Sequence, residues 1–325
     1  MQRRQLLAQG ASLLALPALA QTTEAPLKEL RLDHAHYSPT SLVLRRFGWL
    51  EEALKPQGTS VKWVFSAGSN RALEYLNAGS LDIGSSAGLA AVLSRANGNP
   101  IVCPYLFSRP EWTALVVRAD SPIRSVGELK GRKIAATKGT DPFLFLLRAL
   151  SVAGLRRSDV EIVALQHADG KTALEQGQVD AWAGLDPLMA ASELDHGSRL
   201  IYRNIDFNTY GFLNVREAFL AQQPGTVRQV ITQYERARRW VLANTTEAAR
   251  ILADEAKVSL QVALLQLKLR TDFSQPLPTQ TQVSALQAAA PILLSENLVR
   301  PGTPLPQVIR SLIDTRFARD LIQTP

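Results

Sequence analysis

The sequence has few of the residues that build disulfides and metal sites. Cys103 is the only cysteine among 325 residues, and there are only 4 histidines. A single cysteine excludes an internal disulfide and a cysteine-based metal cluster, so we expect Cys103 to be a small buried residue. His34 and His36 alternate on a predicted strand and so share one face, but no third metal ligand is near them in the sequence. We therefore predict no metal site and no cofactor.

Catalytic and membrane-spanning patterns are also missing from the sequence. It contains no Gly-x-Ser-x-Gly elbow, no glycine-rich phosphate loop with a lysine and no His-Glu-x-x-His motif. Beyond the amino-terminal segment, no stretch approaches the roughly 20 consecutive apolar residues that a membrane-spanning helix requires. These absences favour a soluble protein that is not an enzyme.

The amino-terminal segment has the three parts of a cleavable export signal. Two adjacent arginines, Arg3 and Arg4, precede an apolar stretch from Ala11 to Leu19, and small residues follow up to Ala20. The arginine pair resembles a twin-arginine signal, and the general secretory (Sec) route is the alternative. We predict a signal peptide over residues 1–20, cleavage after Ala20 and a periplasmic location.

The chain carries a modest positive charge. The formal net charge is +7, and removal of residues 1–20, which contain two arginines and no acidic residue, lowers it to +5 (7 − 2). This surplus attracts anions at long range, but it is too diffuse to indicate a nucleic-acid partner. We therefore predict no binding to nucleic acid.

One structural unit occurs twice, over residues 61–91 and again over residues 160–191. Each copy reads as a strand, a loop, a helix, a second strand, a second loop and a further helix. The first helix is predicted to open at Ala72 in one copy and at Ala173 in the other, which gives the second copy a longer loop and a shorter helix. Gly79 and Gly177 end these helices, because glycine enters the left-handed region freely.

The repeat predicts two similar α/β lobes with a ligand cleft between them, although such units also recur in any α/β protein. We expect lobe 1 to contain residues 27–112 and 213–325, and lobe 2 to contain residues 113–212. The chain then crosses between the lobes twice, which makes a hinge. From Glu217 onward we expect amphipathic helices and no strand, packed against lobe 1.

Five loops, each directly before a predicted helix, carry the candidate binding chemistry. They cover residues 38–41, 66–70, 85–88, 137–141 and 184–187. The free N–H groups at a helix start carry partial positive charge, so several helix starts around one cleft can hold an anion without a lysine or arginine. Hydroxyls in these loops, such as those of Ser38 and Ser69, would complete the shell. The alternative is that these residues only cap their helices.

Three other candidates lie close to the predicted cleft. Arg109 and Trp112 fall at the first crossing, where a cation and an aromatic face can line the cleft or simply pack locally. Asp186 would repel an anion, so it suits a cationic or hydroxylated part of a ligand, or a helix cap before Pro187.

The chain from Leu30 to Val299 resembles the periplasmic solute-binding proteins of ABC importers for aliphatic sulfonates, nitrate and taurine, and the sulfonate group most of all. The order and spacing of several stretches carry the resemblance: Phe65-Ser66-Ala67-Gly68, the run from Leu76 to Ser85, Asp120-Ser121-Pro122-Ile123, Val126 to Gly131, Lys138-Gly139-Thr140 and Val179-Asp180-Ala181-Trp182-Ala183.

The resemblance implies a two-lobe α/β protein of the periplasmic binding protein type (type II-like), in which each lobe has a largely parallel sheet flanked by helices. It implies that the lobes close over a small anionic ligand and dock on an importer permease in the inner membrane. By position, the resemblance makes a ligand shell of Ser66, Gly68, Ser85, Ser86, Thr137 and Thr140, and makes Asp186 the start of a cleft-facing helix. Leu185 and Leu188 replace aromatic residues common in this family, so the wall around the ligand's organic tail differs.

Our leading hypothesis is therefore a non-enzymatic receptor that captures an aliphatic sulfonate or a related small anion. Two alternatives stay open. An enzyme on the same two-lobe scaffold would need an acid or base in the cleft, for which His34, His36, Asp141 and Asp186 are the candidates. A receptor for a neutral or cationic precursor would need acidic or aromatic residues there.

Overall fold

The computed structural model describes residues 24–322, so the predicted export signal lies outside the described residues. Within this range the chain forms two β-sheets flanked by helices, one sheet in each lobe. None of the described helices is both long and apolar enough to cross a membrane.

The elements follow one another in an α/β order. The strands are β1 (Glu29–His34), β2 (Ser60–Phe65), β3 (Ile83–Ala87), β4 (Ile101–Pro110), β5 (Leu115–Val117), β6 (Lys133–Ala136), β7 (Glu161–Ala164), β8 (Ala181–Ala183), β9 (Arg199–Tyr202), β10 (Gly211–Arg216) and β11 (Thr271–Asp272). The helices are α1 (Pro39–Phe47), α2 (Trp49–Leu54), α3 (Ser69–Asn77), α4 (Gly88–Ala96), α5 (Asp141–Val152), α6 (His167–Glu175), α7 (Leu188–His196), α8 (Glu217–Gln222), α9 (Pro224–Ala243), α10 (Thr245–Ala256), α11 (Leu260–Leu264), α12 (Gln280–Ala289), α13 (Pro291–Ser295) and α14 (Leu305–Leu312).

The two sheets have the same strand order when β11 is left out and one sheet is read in the opposite direction. In lobe 1 the order is β11-β4-β10-β3-β1-β2, and in lobe 2 it is β7-β6-β8-β5-β9. In each lobe the first strand (β1 or β6) pairs in parallel with the two strands that follow it in that lobe. A strand that has just crossed from the other lobe, β10 or β5, is inserted antiparallel next to the third. The duplication inferred from the sequence therefore extends to the topology of both lobes.

The repeat is more regular than we predicted. Helix α3 begins at Ser69 and α6 at His167, not at the alanines predicted, and each helix has 9 residues. The predicted longer loop and shorter helix of the second copy were wrong. The sequence did not predict the first turn of α6, because this turn contains Gly170 and glycine is a poor helix former. The structure needs glycine there, since a Cβ would lie 2.8 Å from Nε1 of Trp182.

Both copies also end their first helix in the same way. Gly79 and Gly177 adopt the left-handed conformation, with φ of +70° and +71°. The aspartates three residues later are equivalent: Asp82 accepts a hydrogen bond from the backbone N–H of Arg31 (3.0 Å), and Asp180 accepts one from that of Lys133 (2.8 Å). Each contact ties the third strand of a lobe to its first.

Of the carboxyl-terminal helices, α9 packs on lobe 1 against α1 and α2, whereas α11 and α13 also contact helices of lobe 2, α7 and α5. The prediction of no strand after Glu217 was wrong, because β11 pairs with the end of β4. A strand of two residues gives no alternation that sequence analysis can detect. Cys103 is buried in the core of lobe 1, as predicted.

Candidate functional site

Six helices begin at the edges where the two lobes face each other. Helices α1, α3 and α4 follow β1, β2 and β3, and α5, α6 and α7 follow β6, β7 and β8. Parallel strands place their carboxyl ends at one edge of a sheet, so the three helix starts of each lobe lie together. The edges touch: a Cβ on Gly68 of lobe 1 would lie 2.9 Å from Nε2 of His167 of lobe 2. The structure is therefore closed at this point.

Four of these helix starts have no side-chain cap within the described range. Among residues 24–322, none of the six has a hydrogen bond from its own N-cap side chain, although Ser38 and Thr140 occupy the cap positions of α1 and α5. More distant side chains accept at the other two: Thr209 from the N–H of Leu89 in α4, and Asp186 from that of Ala190 in α7. Away from the cleft, Ser259 caps α11 and Thr279 caps α12. The first N–H groups of a helix have no intrahelical acceptor, so the starts of α1, α3, α5 and α6 keep donors for another partner.

Three buried hydroxyls next to the helix starts of lobe 1 are unpartnered. The hydroxyl oxygens of Ser38, Thr40 and Ser66 have no hydrogen-bond partner within the described part of the chain, and all three residues are buried. Leaving a buried polar group unpaired costs about 1–3 kcal/mol. Ser69 differs, because its oxygen accepts from the backbone N–H of Ala87 (3.0 Å) and fixes the start of α3 to the end of β3. The unpartnered hydroxyls are therefore donors of lobe 1 that a ligand can use, and Ser69, whose oxygen accepts, also keeps its hydroxyl proton.

The two serines of β3 donate their hydroxyl protons inside the protein. Ser85 donates from its hydroxyl (2.7 Å) and its backbone N–H (2.8 Å) to the carboxylate of Asp33. Ser86 donates to the carbonyl oxygen of Ala87 (3.0 Å) and accepts from Nδ2 of Asn214 (2.8 Å). Both serine hydroxyls therefore stabilise the edge of lobe 1 through hydrogen bonds within the protein. Sequence reasoning missed Asp33, because it stands at a polar position of the alternating strand Glu29–His34, where an exposed side chain is the ordinary expectation.

Asp33 places a carboxylate beneath the edge of lobe 1. Burial raises the pKa of Asp33 to about 6, and the hydroxyl of Ser85 opposes the rise. The Ser66 hydroxyl opposes it too, from a position near the carboxylate but outside hydrogen-bond geometry. Tyr37 donates to the carbonyl oxygen of Ser85 (3.2 Å), which links the start of α1 to β3.

The two threonine hydroxyls between β6 and α5, those of Thr137 and Thr140, are already used. Thr137 donates to the carbonyl oxygen of Leu165 (2.7 Å), and Thr140 donates to that of Thr137 (2.6 Å). His167 lies beside them, with its Nδ1 3.2 Å from the Thr137 hydroxyl. Burial lowers the pKa of His167 to about 3, so its ring is neutral. The sequence showed His167 only as an isolated histidine.

Trp112 and Asp141 join the hinge to both lobes. Trp112 is buried, lies edge-on to Tyr37 at 5.9 Å between ring centroids, and donates from Nε1 to Asp141 (3.2 Å). Asp141 also accepts from the backbone N–H and the hydroxyl of Thr209, both at 2.7 Å. The same hydroxyl accepts from the backbone N–H of Leu89 (2.9 Å) at the start of α4. Burial raises the pKa of Asp141 to about 6.

Asp186 is held by an ion pair across the lobes. Nη1 of Arg270, from lobe 1, lies 3.1 Å from one oxygen of Asp186, and Nη2 of Arg270 contacts Glu193. Asp186 also accepts from the backbone N–H of Ala190 (2.9 Å). Burial raises the pKa of Asp186 to about 6, and the guanidinium opposes that rise. Both the acid and the cation are therefore engaged by protein groups.

The side chains of Arg109 and of the histidine pair contact other groups. The side chain of Arg109 is 41% exposed, pairs with Asp206 at 3.6 Å and lies over the ring of Tyr210. His34 and His36 flank the ring of Phe65, with centroids 5.5 and 4.9 Å away. No three metal-ligating residues of residues 24–322 come together to hold an ion.

Comparison with known proteins places the chain in a family. The model of the family described as NMT1/THI5 like matches residues 48–248. A protein of Escherichia coli (strain K12) named "Putative aliphatic sulfonates-binding protein" is 30% identical over 293 residues, which are 90% of this chain and 91% of that protein.

Two solved structures are similar over most of the chain. The alkanesulfonate-binding protein SsuA from Xanthomonas axonopodis pv. citri, bound to MOPS, has a TM-score of 0.80 and 25% identity, covering 87% of this chain and 98% of that chain. The periplasmic aliphatic sulphonate binding protein SsuA from Escherichia coli has a TM-score of 0.74 and 27% identity, covering 88% and 92%. The two-lobe fold and the resemblance seen in the sequence are thus confirmed, and the chain belongs to the NMT1/THI5-like family.

Proposed function

We propose that this protein is the periplasmic binding component of an ABC importer and that it captures a small organic sulfonate between its lobes. The observation that carries the proposal is the set of uncapped helix starts around one cleft, together with the buried, unpartnered hydroxyls of Ser38, Thr40 and Ser66. Sulfonate oxygens are acceptors only, so they match a surface made of N–H and O–H donors.

The buried cation at the interface is already paired, so we expect N–H groups and hydroxyls to hold the anion. Arg270 is the buried guanidinium at this interface, and Asp186 and Glu193 already pair with it. Oriented N–H groups and hydroxyls then supply the positive potential. The names of the similar proteins, which bind sulfonates, agree with this choice of anion.

The alternative of an enzyme receives less support from the geometry. Of its four candidate acids and bases, Asp141 and Asp186 accept several hydrogen bonds from neighbouring groups, which fix them as structural acceptors. His34 and His36 pack on Phe65. A catalytic acid or base must instead reach a reacting atom.

Isothermal titration calorimetry on the exported form tests the proposal. Titrations with ethanesulfonate, propane-1-sulfonate, taurine, nitrate and sulfate should show 1:1 binding for at least one sulfonate and weaker binding for the inorganic anions. Failure of every sulfonate to bind, with the protein folded by circular dichroism, would contradict the proposal. Loss of sulfonate-dependent growth after deletion of the coding gene, restored by the wild-type chain, would support the role in import.

A further inference from the structure

Two unpartnered hydrogen-bond acceptors from opposite lobes meet at Gly68. Nε2 of His167 and Oδ1 of Asn70 are both buried, and neither has a partner among the residues that the structure describes. Each lies 2.9 Å from the point that a Cβ of Gly68 would occupy. His167 is only 2% exposed. Other buried acceptors of the described residues also have no donor, but this pair lies where the two lobes meet, so a bound ligand can supply the donor.

The hydrogen-bond network shows that His167 presents a lone pair here. Thr137 uses its one hydroxyl proton on the carbonyl oxygen of Leu165 (2.7 Å). That hydroxyl can then only accept from Nδ1 of His167, 3.2 Å away, which places the imidazole hydrogen on Nδ1. Nε2 therefore carries no hydrogen and is an acceptor.

An acceptor is unsuited to the charged head of an anion. The oxygens of a sulfonate are acceptors as well, and two facing acceptors repel each other. The unpartnered hydroxyls next to the helix starts are on lobe 1, at Ser38, Thr40 and Ser66. A ligand that satisfies both sets has an anionic head for the hydroxyls and, close to it, a group with a hydrogen to donate.

We propose that His167, assisted by Asn70, makes the cleft selective for sulfonates that carry a hydroxyl or amino group near the sulfonate. The inference rests on the proposed function, because it assigns the substrate class of the same site. In the bound state Nε2 of His167 accepts from this group, and the sulfonate lies against the helix starts and hydroxyls of lobe 1.

A pair of ligands with the same number of heavy atoms in the chain isolates this contact. Propane-1-sulfonate has a methyl group where 2-hydroxyethanesulfonate has a hydroxyl. We expect wild-type protein to bind the hydroxyl compound about tenfold more tightly, since the methyl compound leaves the acceptors unpaired. Taurine, with its amino group, should share the preference. Equal or tighter binding of propane-1-sulfonate would overturn the inference and leave the proposed function standing. No binding by any of the three would overturn both.

Two variants separate selectivity from a packing role. His167→Phe removes the acceptor and keeps a ring of similar size. The ratio of the affinities for 2-hydroxyethanesulfonate and propane-1-sulfonate should therefore fall to about one, while propane-1-sulfonate still binds. His167→Gln keeps a polar atom near the position of Nε2 and should retain part of the preference. A merely structural role for His167 would instead weaken all three ligands equally in both variants, which would contradict the inference.

The ratio of the two ligand affinities, measured on the wild-type protein, tests the inference even if His167→Phe fails to fold. Calorimetry of the wild type in two buffers with different ionisation enthalpies adds an independent check. The bare lone pair requires no proton uptake with 2-hydroxyethanesulfonate. Uptake of about one proton with propane-1-sulfonate would show that Nε2 acquires its own hydrogen for the anion, and this would overturn the inference.

Discussion

The two lobes share a strand order, but their cleft edges differ in what they offer a ligand. The edge of lobe 1 holds unpartnered hydroxyls, at Ser38, Thr40 and Ser66. In lobe 2 the hydroxyls of Thr137 and Thr140 donate to carbonyl oxygens of their own lobe. Duplicated topology has therefore been kept while the chemistry of the edges has diverged.

The difference suggests a division of labour between the lobes. Lobe 1 has donors ready for an anionic head, and lobe 2 contributes an acceptor, Nε2 of His167, that meets lobe 1 at Gly68. Lobe 2 is further tied to lobe 1 by the buried pair between Arg270 and Asp186. We expect lobe 1 to capture the ligand and lobe 2 to close over it, and four changes test that comparison.

The largest expected effect concerns the attachment of lobe 2 to lobe 1. Arg270→Met leaves the carboxylate of Asp186 buried without its cation. Removing one partner of a buried ion pair typically costs about 3–5 kcal/mol. Chemical denaturation should show a free energy of unfolding lower by about that amount.

Arg109→Met is the matched control for Arg270→Met. Its side chain is 41% exposed and lies 3.6 Å from Asp206. Exposed pairs contribute about 0–1 kcal/mol, so this variant should be nearly as stable as the wild type. Equal losses in both variants would show that the interlobe pair has no special role.

The second change removes a donor from lobe 1. Ser38→Ala deletes a hydroxyl that has no partner within residues 24–322, so the free energy of unfolding should stay the same or rise. A hydrogen bond to a charged group contributes about 1.5–3 kcal/mol, so sulfonate affinity measured by calorimetry should fall about 10- to 100-fold.

Thr140→Val is the corresponding change in lobe 2, and the opposite pattern is expected. It deletes a hydroxyl that donates to the carbonyl oxygen of Thr137, so stability should fall by about 1 kcal/mol with affinity changed by about twofold or less. The comparison of the lobes would break if the two variants exchanged these patterns.

The third change blocks closure. Gly68 has an extended backbone, with φ of 179°, that alanine also adopts, so Gly68→Ala should not strain the chain. In the closed form the new Cβ would lie 2.9 Å from Nε2 of His167, and overpacking of this kind costs about 1–3 kcal/mol. The cost opposes closure of the lobes and not the folding of either lobe. We therefore expect the affinity for the sulfonate to drop about 10-fold or more with little change in melting temperature.

Gly127→Ala serves as the control for the added methyl group. The nearest atom to a Cβ there is Oγ of Ser125, at 4.0 Å. Affinity should stay at the wild-type value. A Gly68→Ala variant that binds as well as Gly127→Ala would show that the contact at Gly68 does not form in the bound state.

The smallest expected effect is a dependence on pH. Burial raises the pKa of Asp33 and Asp141 to about 6 from the ordinary value of 3.8. A raised folded-state pKa contributes stability that is fully present below about pH 4 and is lost as the pH rises through about 6. Protonation also removes negative charge near the cleft, so the affinity for a sulfonate should increase, by about tenfold or less, between pH 8 and pH 5.

Asp33→Asn should reduce this pH dependence, because it removes one of the three buried carboxyls, those of Asp33, Asp141 and Asp186, whose pKa is raised to about 6. Affinity that instead falls as the pH is lowered would show that a different group, protonated at low pH, opposes binding. Calorimetry at each pH with the same sulfonate provides the measurement.

The fold was largely predictable because its signals are local. Alternating strands and helices, and glycines at equivalent helix ends such as Gly79 and Gly177, are visible in a single sequence. The start of α6 was missed because Gly170 serves a tertiary contact with Trp182 at the expense of helix propensity. The pairing of β11 with β4 is likewise a tertiary contact, and a strand of two residues has no sequence pattern that predicts it.

The candidate site was predictable as a set of loops but not in its hydrogen bonds. Sequence spacing pointed to Ser38 and Thr140 alike, and only the structure shows that one hydroxyl is unpartnered and the other is used. Arg270 gave no signal, because its partner Asp186 lies 84 residues away in the chain. Such pairings depend on how the lobes meet, which a single sequence does not encode in any local pattern.

The most direct test is a crystal structure of the protein with bound 2-hydroxyethanesulfonate. Our account predicts the sulfonate oxygens within hydrogen-bond distance of the hydroxyls of Ser38 and Ser66, and close to the first N–H groups of α3. A sulfonate bound through Thr137 and Thr140 alone, or outside the cleft beside Arg109, would contradict it.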